Sequence, residues 1–258
     1  MGKNTNKLIK VFLLMTLLAG LSMQSGAETI IIHAGELLAI PGKPTRKAQS
    51  IVIKDNKIVE VREGYVDEKG FGEGTALIDL KNSFVMPGLM DMHVHLQGQL
   101  GPKNDSEDLK MSAELMSMRT IHFGMRTLTA GFTTVRDVGS DTQYMYALRD
   151  AIEQGWIKGP RIIAAGTVGI TGGHADVSGK KPELLEFYTN KSICDGPYDC
   201  RRATRRAIKF GADLIKITST GGVLSDRATG TGQQMEMDEL KELLNKKDIL
   251  FKKVIISI

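Results

Sequence analysis

Two histidines one residue apart, His93 and His95, end an apolar run that passes the Pro-Gly pair at 87–88. Side chains alternate between the two faces of a β-strand, so both imidazoles are predicted to point the same way at the end of a strand. Two imidazoles on one face can share a metal ion. A His-x-His pair is more often an ordinary half-buried pair than a metal site, and the spacing alone leaves both interpretations open.

A lysine, Lys216, interrupts a second apolar stretch, Asp-Leu-Ile-Lys-Ile at 213–217. Burying a charged amine is costly, so this side chain must reach solvent, pair with an anion or lose its charge. The last option would be chemically useful. A neutral amine can react with carbon dioxide to form a carbamate, whose two oxygens can bridge two divalent metal ions.

A third histidine, His174, lies in the glycine-rich segment Gly-Ile-Thr-Gly-Gly-His-Ala-Asp at 169–176. This segment follows a predicted strand, at the position where barrel enzymes place substrate-binding groups. Glycines let the backbone approach a ligand closely, and an imidazole can donate a hydrogen bond to a carboxylate. Taken alone, the segment is better explained as a solvated loop.

Short β-branched runs near the start of the chain, separated by turn signals, predict a small antiparallel sheet. Further along, helix-like and strand-like stretches alternate, which is typical of parallel βα units. The predicted strands of the small sheet lie at 29–33, 50–53 and 57–61. The later elements are helices at 107–130, 142–154 and 201–210, the last of them basic, and strands at 132–139 and 161–166.

Several other polar residues are interpreted as structural. His33 falls in the predicted small sheet, and His122 falls within the helix at 107–130, where a packing or surface role is favoured. The methionines of that helix are predicted to fill the core. Arg136 and Asp137 are expected to form an ion pair at the end of their strand.

The first 27 residues have the form of a secretory signal peptide. Three lysines precede an apolar run at 11–21, and small residues at 25–27 offer a cleavage site. The run is shorter than the roughly 20 residues that a membrane span needs. We therefore expect an exported protein, periplasmic or extracellular, with no stable membrane association after cleavage.

The composition is that of an ordinary globular protein, with 258 residues, 41% hydrophobic and 25% charged. Removing the predicted signal peptide takes away three lysines and no acids, so the net charge falls from +4 to +1. The chain therefore offers no reason to expect a nucleic-acid partner. Cys194 and Cys200 flank a Gly-Pro turn, and both a disulfide and two free thiols remain open.

Three segments together resemble the amidohydrolase superfamily. Pro-Gly-Leu-Met-Asp-Met-His-Val-His at 87–95 is similar to its strand-1 signature, and Ala-Gly-Phe-Thr-Thr-Val-Arg-Asp at 130–137 to a second segment. Gly-Ala-Asp-Leu-Ile-Lys at 211–216, followed by Thr-Gly-Gly-Val-Leu-Ser, resembles strand 4 of the Xaa-Pro dipeptidase and imidazolonepropionase-like subgroup. The resemblance implies an α/β fold. It divides the chain into the signal peptide at 1–27, part of a small β-sandwich at 28–83, and a partial (β/α)8 barrel of about five strands at 84–258.

The resemblance also implies a metal centre and a substrate contact. His93 and His95 would bind the metal of a mono- or dinuclear centre, and Lys216, as N6-carboxylysine, would supply the third ligand. The His174 loop resembles one that contacts substrate in relatives acting on dipeptides and imidazolone-like compounds. The implied cofactors are one or two divalent metal ions, with zinc preferred to manganese or cobalt, and carbon dioxide for the lysine.

The later part of the family pattern is not found. The resemblance calls for histidines on strands 5 and 6 and a catalytic aspartate on strand 8, but no histidine follows His174, and Ser257 stands where the first is expected. We therefore expect an incomplete barrel with little or no activity in this chain. A non-catalytic fragment or pseudoenzyme is the alternative.

The function that the resemblance implies for the intact protein is hydrolysis of a C–N bond by a metal-activated water. The substrate would be a small molecule, with a dipeptide or a cyclic amide as examples. An isomerase or deaminase of the same superfamily is a further alternative, and an oligomer is compatible with the sequence.

Overall fold

The computed structural model describes residues 29–101, 104–187, 192–222, 231–244 and 254–257. The chain divides into two compact units, Met1–Pro87 and Gly88–Ile258. The predicted signal peptide lies outside the described residues. Among the helices that are described, none has the length and hydropathy needed to span a membrane.

The first unit contains one four-stranded sheet. Its strands are β1 (Thr29–Leu37), β2 (Arg46–Lys54), β3 (Lys57–Glu63) and β4 (Ala76–Val85), in the order β3-β2-β1-β4. The first three strands are antiparallel, as predicted, but β4 is parallel to β1, so the sheet is mixed. Asp55 and Asn56 form the tight β2–β3 turn with φ of 49° and 60°, a conformation that these two residue types tolerate.

His33 lies within this sheet and has a structural role, as expected. Its side chain is buried, and Nε2 lies 2.9 Å from the backbone carbonyl oxygen of Val66. The imidazole also contacts the ring of Tyr65, with 5.0 Å between the ring centroids. Nothing in this arrangement resembles a metal site.

The second unit alternates strands and helices. Its strands are β5 (Leu89–Val94), β6 (Phe132–Asp137), β7 (Arg161–Ile170), β8 (Ile193–Cys194), β9 (Leu214–Thr218) and β10 (Val254–Ser257). Its helices are α1 (Asn104–Lys110), α2 (Ala113–Thr129), α3 (Thr142–Glu153), α4 (Pro182–Leu185), α5 (Pro197–Lys209) and α6 (Met237–Leu243). The predicted mixed α/β fold is confirmed.

All the paired strands of the second unit are parallel, in the order β10-β9-β7-β6-β5, with β8 beside β7. Both faces of this sheet bury apolar side chains, as is usual for parallel sheets. On one face Ile215 and Ile217 belong to the main core, which also contains side chains of α3, α5 and α6. On the other face Leu214 packs with Ala165 and Val138.

The helix predicted at 107–130 is two helices, α1 and α2. The break has a local cause, because the hydroxyl of Ser112 accepts a hydrogen bond from the Leu115 amide (3.3 Å) and caps the start of α2. The prediction that the methionines fill the core holds for Met116, which is 4% exposed, but is wrong for Met118, which is 64% exposed.

The basic helix is confirmed as α5, which begins at Pro197, four residues earlier than predicted. Ala203 is buried in the main core, whereas the arginines lie on the outer side of the helix or are partly exposed. Cys194 and Cys200 are joined by a disulfide that links β8 to α5. Of the two states left open for this pair, the structure has the bonded one.

Candidate metal and substrate site

His93 and His95 lie side by side at the carboxyl end of β5. Their rings are stacked, with 5.6 Å between the centroids and 25° between the planes. The alternation of strand side chains therefore places both imidazoles on the same side, as predicted. Two neighbouring imidazole rings can each supply one nitrogen ligand to the same metal ion.

The turn after β6 leaves space for the His95 ring at Gly139, two residues beyond the end of the strand. A Cβ atom built on Gly139 would lie 2.2 Å from Cε1 and Nε2 of His95. No carbon atom can approach a ring so closely. The absence of a side chain at position 139 is therefore a requirement of the observed imidazole position.

Asp137, at the end of β6, holds the segment that follows His95. Its buried carboxylate accepts hydrogen bonds from the amides of Leu96 (2.7 Å), Gly139 (3.2 Å) and Ser140 (2.9 Å), and from the Ser140 hydroxyl (2.7 Å). The bond from Leu96 ties the end of β5 to the end of β6, and the other three hold the turn that follows Asp137. The sequence interpretation missed this role.

The expected ion pair between Arg136 and Asp137 is wrong. Consecutive residues of a strand point to opposite faces, so the two side chains diverge. Arg136 instead donates from Nε to the backbone carbonyl of Met92, at 2.7 Å. It lies on the face of the sheet that carries Lys216.

Lys216 lies in the middle of β9 and is 6% exposed. By strand alternation it shares a face with Leu214 and Thr218, opposite to the face that the helices cover. Burial lowers the pKa of the Lys216 amine, and the positive charge of Arg136 lowers it further. Both effects favour the neutral amine, the form that reacts with carbon dioxide.

The charges of the other candidate residues act on His95. Desolvation by the surrounding protein lowers the pKa of His95, the carboxylate of Asp137 opposes this, and His93, Lys216 and His174 lower the pKa further. Strand pairing and alternation put Arg136 of β6 and Lys216 of β9 on one face of the sheet, and the Arg136 side chain reaches the backbone carbonyl of Met92, next to His93.

His174 reaches this region from the loop at 169–176. Its ring lies against Gly222, where a Cβ atom would be 2.1 Å from Cε1 of the imidazole. Its backbone amide donates to Oε1 of Gln234, at 2.8 Å. The ring and the backbone of His174 are thus both held by residues that follow β9.

The donor set fits a metal ion only if Lys216 is carboxylated. Within the described residues no group of three or more histidine, cysteine, aspartate or glutamate side chains could hold a metal. A protonated lysine cannot bind a cation, whereas a carbamate supplies oxygen ligands. One further buried polar atom, Oγ1 of Thr218, has no hydrogen-bond partner within the described structure and faces Gly169 on the neighbouring strand.

A groove of about 340 Å³ lies beside His95, but it is not the place where the candidate residues meet. It runs along β5 and α2, and its lining includes Asp91, Phe123 and Arg126. Neither Lys216 nor His174 lines it. The candidate site is therefore defined by the strand ends and not by this groove.

Comparison with known proteins identifies the family. The model of the amidohydrolase family matches residues 84–256, about two thirds of the chain. This chain belongs to the amidohydrolase family. The matched part of the amidohydrolase chain contains all four candidate residues.

Individual relatives agree with this assignment. The ochratoxinase of Aspergillus niger is 29% identical over 235 residues, which is 85% of this amidohydrolase chain and 48% of the relative. A crystal structure of a Xaa-Pro dipeptidase with bound methionine in the active site superimposes with a TM-score of 0.80 at 35% identity, covering 89% of this chain and 56% of that one.

A crystal structure of a prolidase complexed with N-methylphosphonate-L-proline gives a TM-score of 0.71 at 28% identity, covering 88% of this chain and 55% of the prolidase. The amidohydrolase chain thus spans about half the length of the relatives that it matches.

Sequence patterns predicted the four candidate side chains but not the groups that contact them. No sequence motif distinguishes these groups from ordinary turn or strand residues. They are Asp137, Gly139 and Gln234. A glycine two positions after a strand-end aspartate is the only signal that could have drawn attention to Gly139.

Proposed function

We propose that the whole protein is an exported, metal-dependent amidohydrolase that hydrolyses the C–N bond of an amide or peptide. A dipeptide or a cyclic amide is the substrate class that we favour. The observation that carries the proposal is a buried lysine, Lys216, whose environment favours the neutral amine, in the same region as the stacked pair His93 and His95. The names of the relatives, which include a Xaa-Pro dipeptidase and a prolidase, support the substrate class.

His93, His95 and carboxylated Lys216 would hold one or two divalent metal ions, with zinc favoured. When bound, such a metal lowers the pKa of a water molecule and polarises the scissile carbonyl group. Carbon dioxide is the source of the carbamate on Lys216. In this proposal the five parallel strands are part of a (β/α)8 barrel, and the sheet of the first unit is part of a β-sandwich.

The chain's own residues have separate tasks in this proposal. Gly139 and Asp137 keep the His95 ring in place, one by leaving space and the other by holding the following backbone. His174 donates a hydrogen bond to the carboxylate of a dipeptide-like substrate. Because the ligands present are only part of the family's set, we propose that these 258 residues alone bind metal but turn over little substrate.

A non-catalytic role is the second candidate. Strand β10 pairs Ser257 with Thr218, so a serine occupies the strand-end position where the family pattern calls for a histidine. A serine in place of this histidine favours a pseudoenzyme or a fragment without catalytic activity. Turnover of any amide by the protein would exclude it.

The test measures carboxylation and metal content together. The protein is incubated with ¹³C-bicarbonate and zinc, and we expect a carbamate signal in the ¹³C NMR spectrum and bound zinc by elemental analysis. Lys216→Arg should remove both, because a guanidinium forms no carbamate. Lys209→Arg, a matched change on the exposed side of α5, should keep both. A carbamate signal that persists in Lys216→Arg would overturn the assignment, and hydrolysis of a dipeptide panel then tests the activity.

A further inference from the structure

The loop that carries His174 is folded by its own hydrogen bonds. The Gly172 amide donates to Oδ2 of Asp176 (2.8 Å), and the Gly173 amide donates to the carbonyl of Ile170 (2.9 Å). These bonds shape the loop at 169–176 internally. Gly169 and Ile170 are held by their pairing with β8, but these internal bonds do not fix residues 171–176 relative to the rest of the sheet.

A first external contact joins the loop to Asp195. The carboxylate of Asp195 accepts from the Thr171 hydroxyl (2.6 Å) and from the Thr171 amide (3.3 Å). Asp195 lies between Cys194 and Cys200, inside the short ring that the disulfide closes. Both sulfur-bearing residues are fully buried in the main core, so the ring is a firm support for an otherwise exposed carboxylate.

The ring is in turn joined to the start of α6. The Gly196 amide donates to Oε1 of Glu239 at 2.7 Å, and Oε2 of the same buried carboxylate accepts from the Glu236 amide at 2.8 Å. Glu239 therefore holds both the disulfide ring and the first turn of the helix.

A second external contact joins the loop to the segment that precedes α6. Gln234 lies two residues before Glu236, and its Oε1 accepts from the His174 amide. The backbone amide of Gln234 donates to the carbonyl of Ser219 at 2.8 Å, just after β9. The loop is thus held at Thr171 by the ring and at His174 by the segment that precedes α6.

We propose that Asp195, carried by the Cys194–Cys200 ring, and Gln234 are positioning residues that together hold the 169–176 loop so that His174 can contact the substrate. The inference rests on the proposed function for the role of His174. The two contacts are expected to act as one unit, because they are linked through Glu239. Opening the disulfide by a dithiol, which yields two thiols and the oxidised dithiol, would therefore loosen the loop.

The test is amide hydrogen exchange of the protein at single-residue resolution. In Asp195→Ala we expect about five-fold faster exchange at the amide of His174, and in Gln234→Leu at the amide of Thr171, as the loss of one ordinary hydrogen bond gives. Each variant is read at the amide that its own side chain does not touch. A purely local bond would leave that distant amide unchanged.

Three further variants complete the experiment. Gln234→Glu keeps an acceptor oxygen and should keep the wild-type exchange rates. Cys194→Ala/Cys200→Ala should speed exchange at both amides, and the single change Asp195→Ala keeps the test valid if the double variant does not fold. Asp150→Ala, an exposed carboxylate on α3, should change neither amide. Exchange that rises only at the directly bonded amide would overturn the proposal.

Steady-state kinetics with a dipeptide then test the role in substrate binding. Asp195→Ala and Gln234→Leu should raise KM about five-fold and change kcat less than about two-fold, and Gln234→Glu should restore KM. A wild-type KM in variants with faster exchange would overturn the positioning role. The kinetics use the whole protein, because these 258 residues alone are proposed to turn over little substrate. If the wild-type whole protein hydrolyses no dipeptide, the proposed function fails, while the exchange data still decide whether the loop is held in this way.

Discussion

At the scale of single residues, the candidate metal site depends on a missing side chain. The His95 ring lies where a Cβ atom on Gly139 would be. We predict that Gly139→Ala displaces the ring and lowers zinc affinity about 10- to 100-fold, the range found when groups that orient a ligand are changed. Titration with a competing zinc chelator measures this change.

Gly124→Ala is the matched control for this prediction. A Cβ atom at Gly124 would meet only Leu148, at an ordinary 3.5 Å, and the position lies inside α2. Alanine should be neutral or stabilise the helix by up to about 1 kcal/mol, with no effect on zinc. Equal zinc affinities in the two variants would show that the His95 ring tolerates a methyl group at position 139.

At the scale of secondary-structure elements, Asp137 accepts four hydrogen bonds: one from the Leu96 amide joins the end of β5 to β6, and three hold the turn that follows β6. We predict that Asp137→Ala lowers the free energy of unfolding by about 3 kcal/mol, because several buried donors lose their acceptor. Urea denaturation measures the loss. Asp150→Ala removes an exposed carboxylate that pairs with Arg149, which keeps its second partner Asp213, and should cost no more than about 1 kcal/mol. Similar losses in the two variants would contradict the role given to Asp137.

The contact of α3 with the sheet gives a prediction about pH. Tyr146 is buried, and desolvation raises the pKa of its hydroxyl to about 12. A pKa that is higher in the folded state than the unfolded value of about 10 contributes stability below pH 10 that is lost as the pH rises towards 12. We therefore expect the wild-type protein to lose stability between about pH 10 and 12.

Tyr146→Phe removes the titrating group and keeps the ring. Urea denaturation at pH 8 and at pH 11 should show that the free energy of unfolding falls less in the variant than in the wild type. Only the wild type has a hydroxyl at position 146 that ionises more readily in the unfolded state than in the folded state. The same loss in both proteins would mean that the Tyr146 hydroxyl ionises freely in the folded state.

At the scale of the whole molecule, metal binding should stabilise the unit that contains the site. A ligand that binds only the folded state adds about 2.7 kcal/mol at a concentration of 100 times its Kd. We predict that zinc with bicarbonate raises the Tm of the transition that includes residues 88–258, as measured by calorimetry with and without a chelator. The transition of His93→Ala/His95→Ala should not respond.

His122→Ala provides the control, because this histidine is exposed on α2 and lies outside the candidate site. Its response to zinc should equal that of the wild type. A Tm shift that survives in the double variant would mean that zinc binds elsewhere.

The amino-acid sequence by itself determined the local features of this protein. The period of two in a strand placed His93 and His95 on one side, the alternation of strand and helix patterns predicted a parallel sheet, and the cost of burying a charge singled out Lys216. These properties follow from short segments, because strand alternation and burial act on neighbouring residues. Even locally the prediction had limits, as the break at Ser112 shows.

Only the tertiary structure decided which of these segments meet. It paired β4 in parallel with β1, turned Asp137 towards the backbone of Leu96 in place of Arg136, and brought Gln234 to His174 across 60 residues of chain. The physical reason is that such contacts depend on how distant elements pack together. Their hydrogen-bonding groups have no fixed spacing along the chain, so no local pattern encodes them.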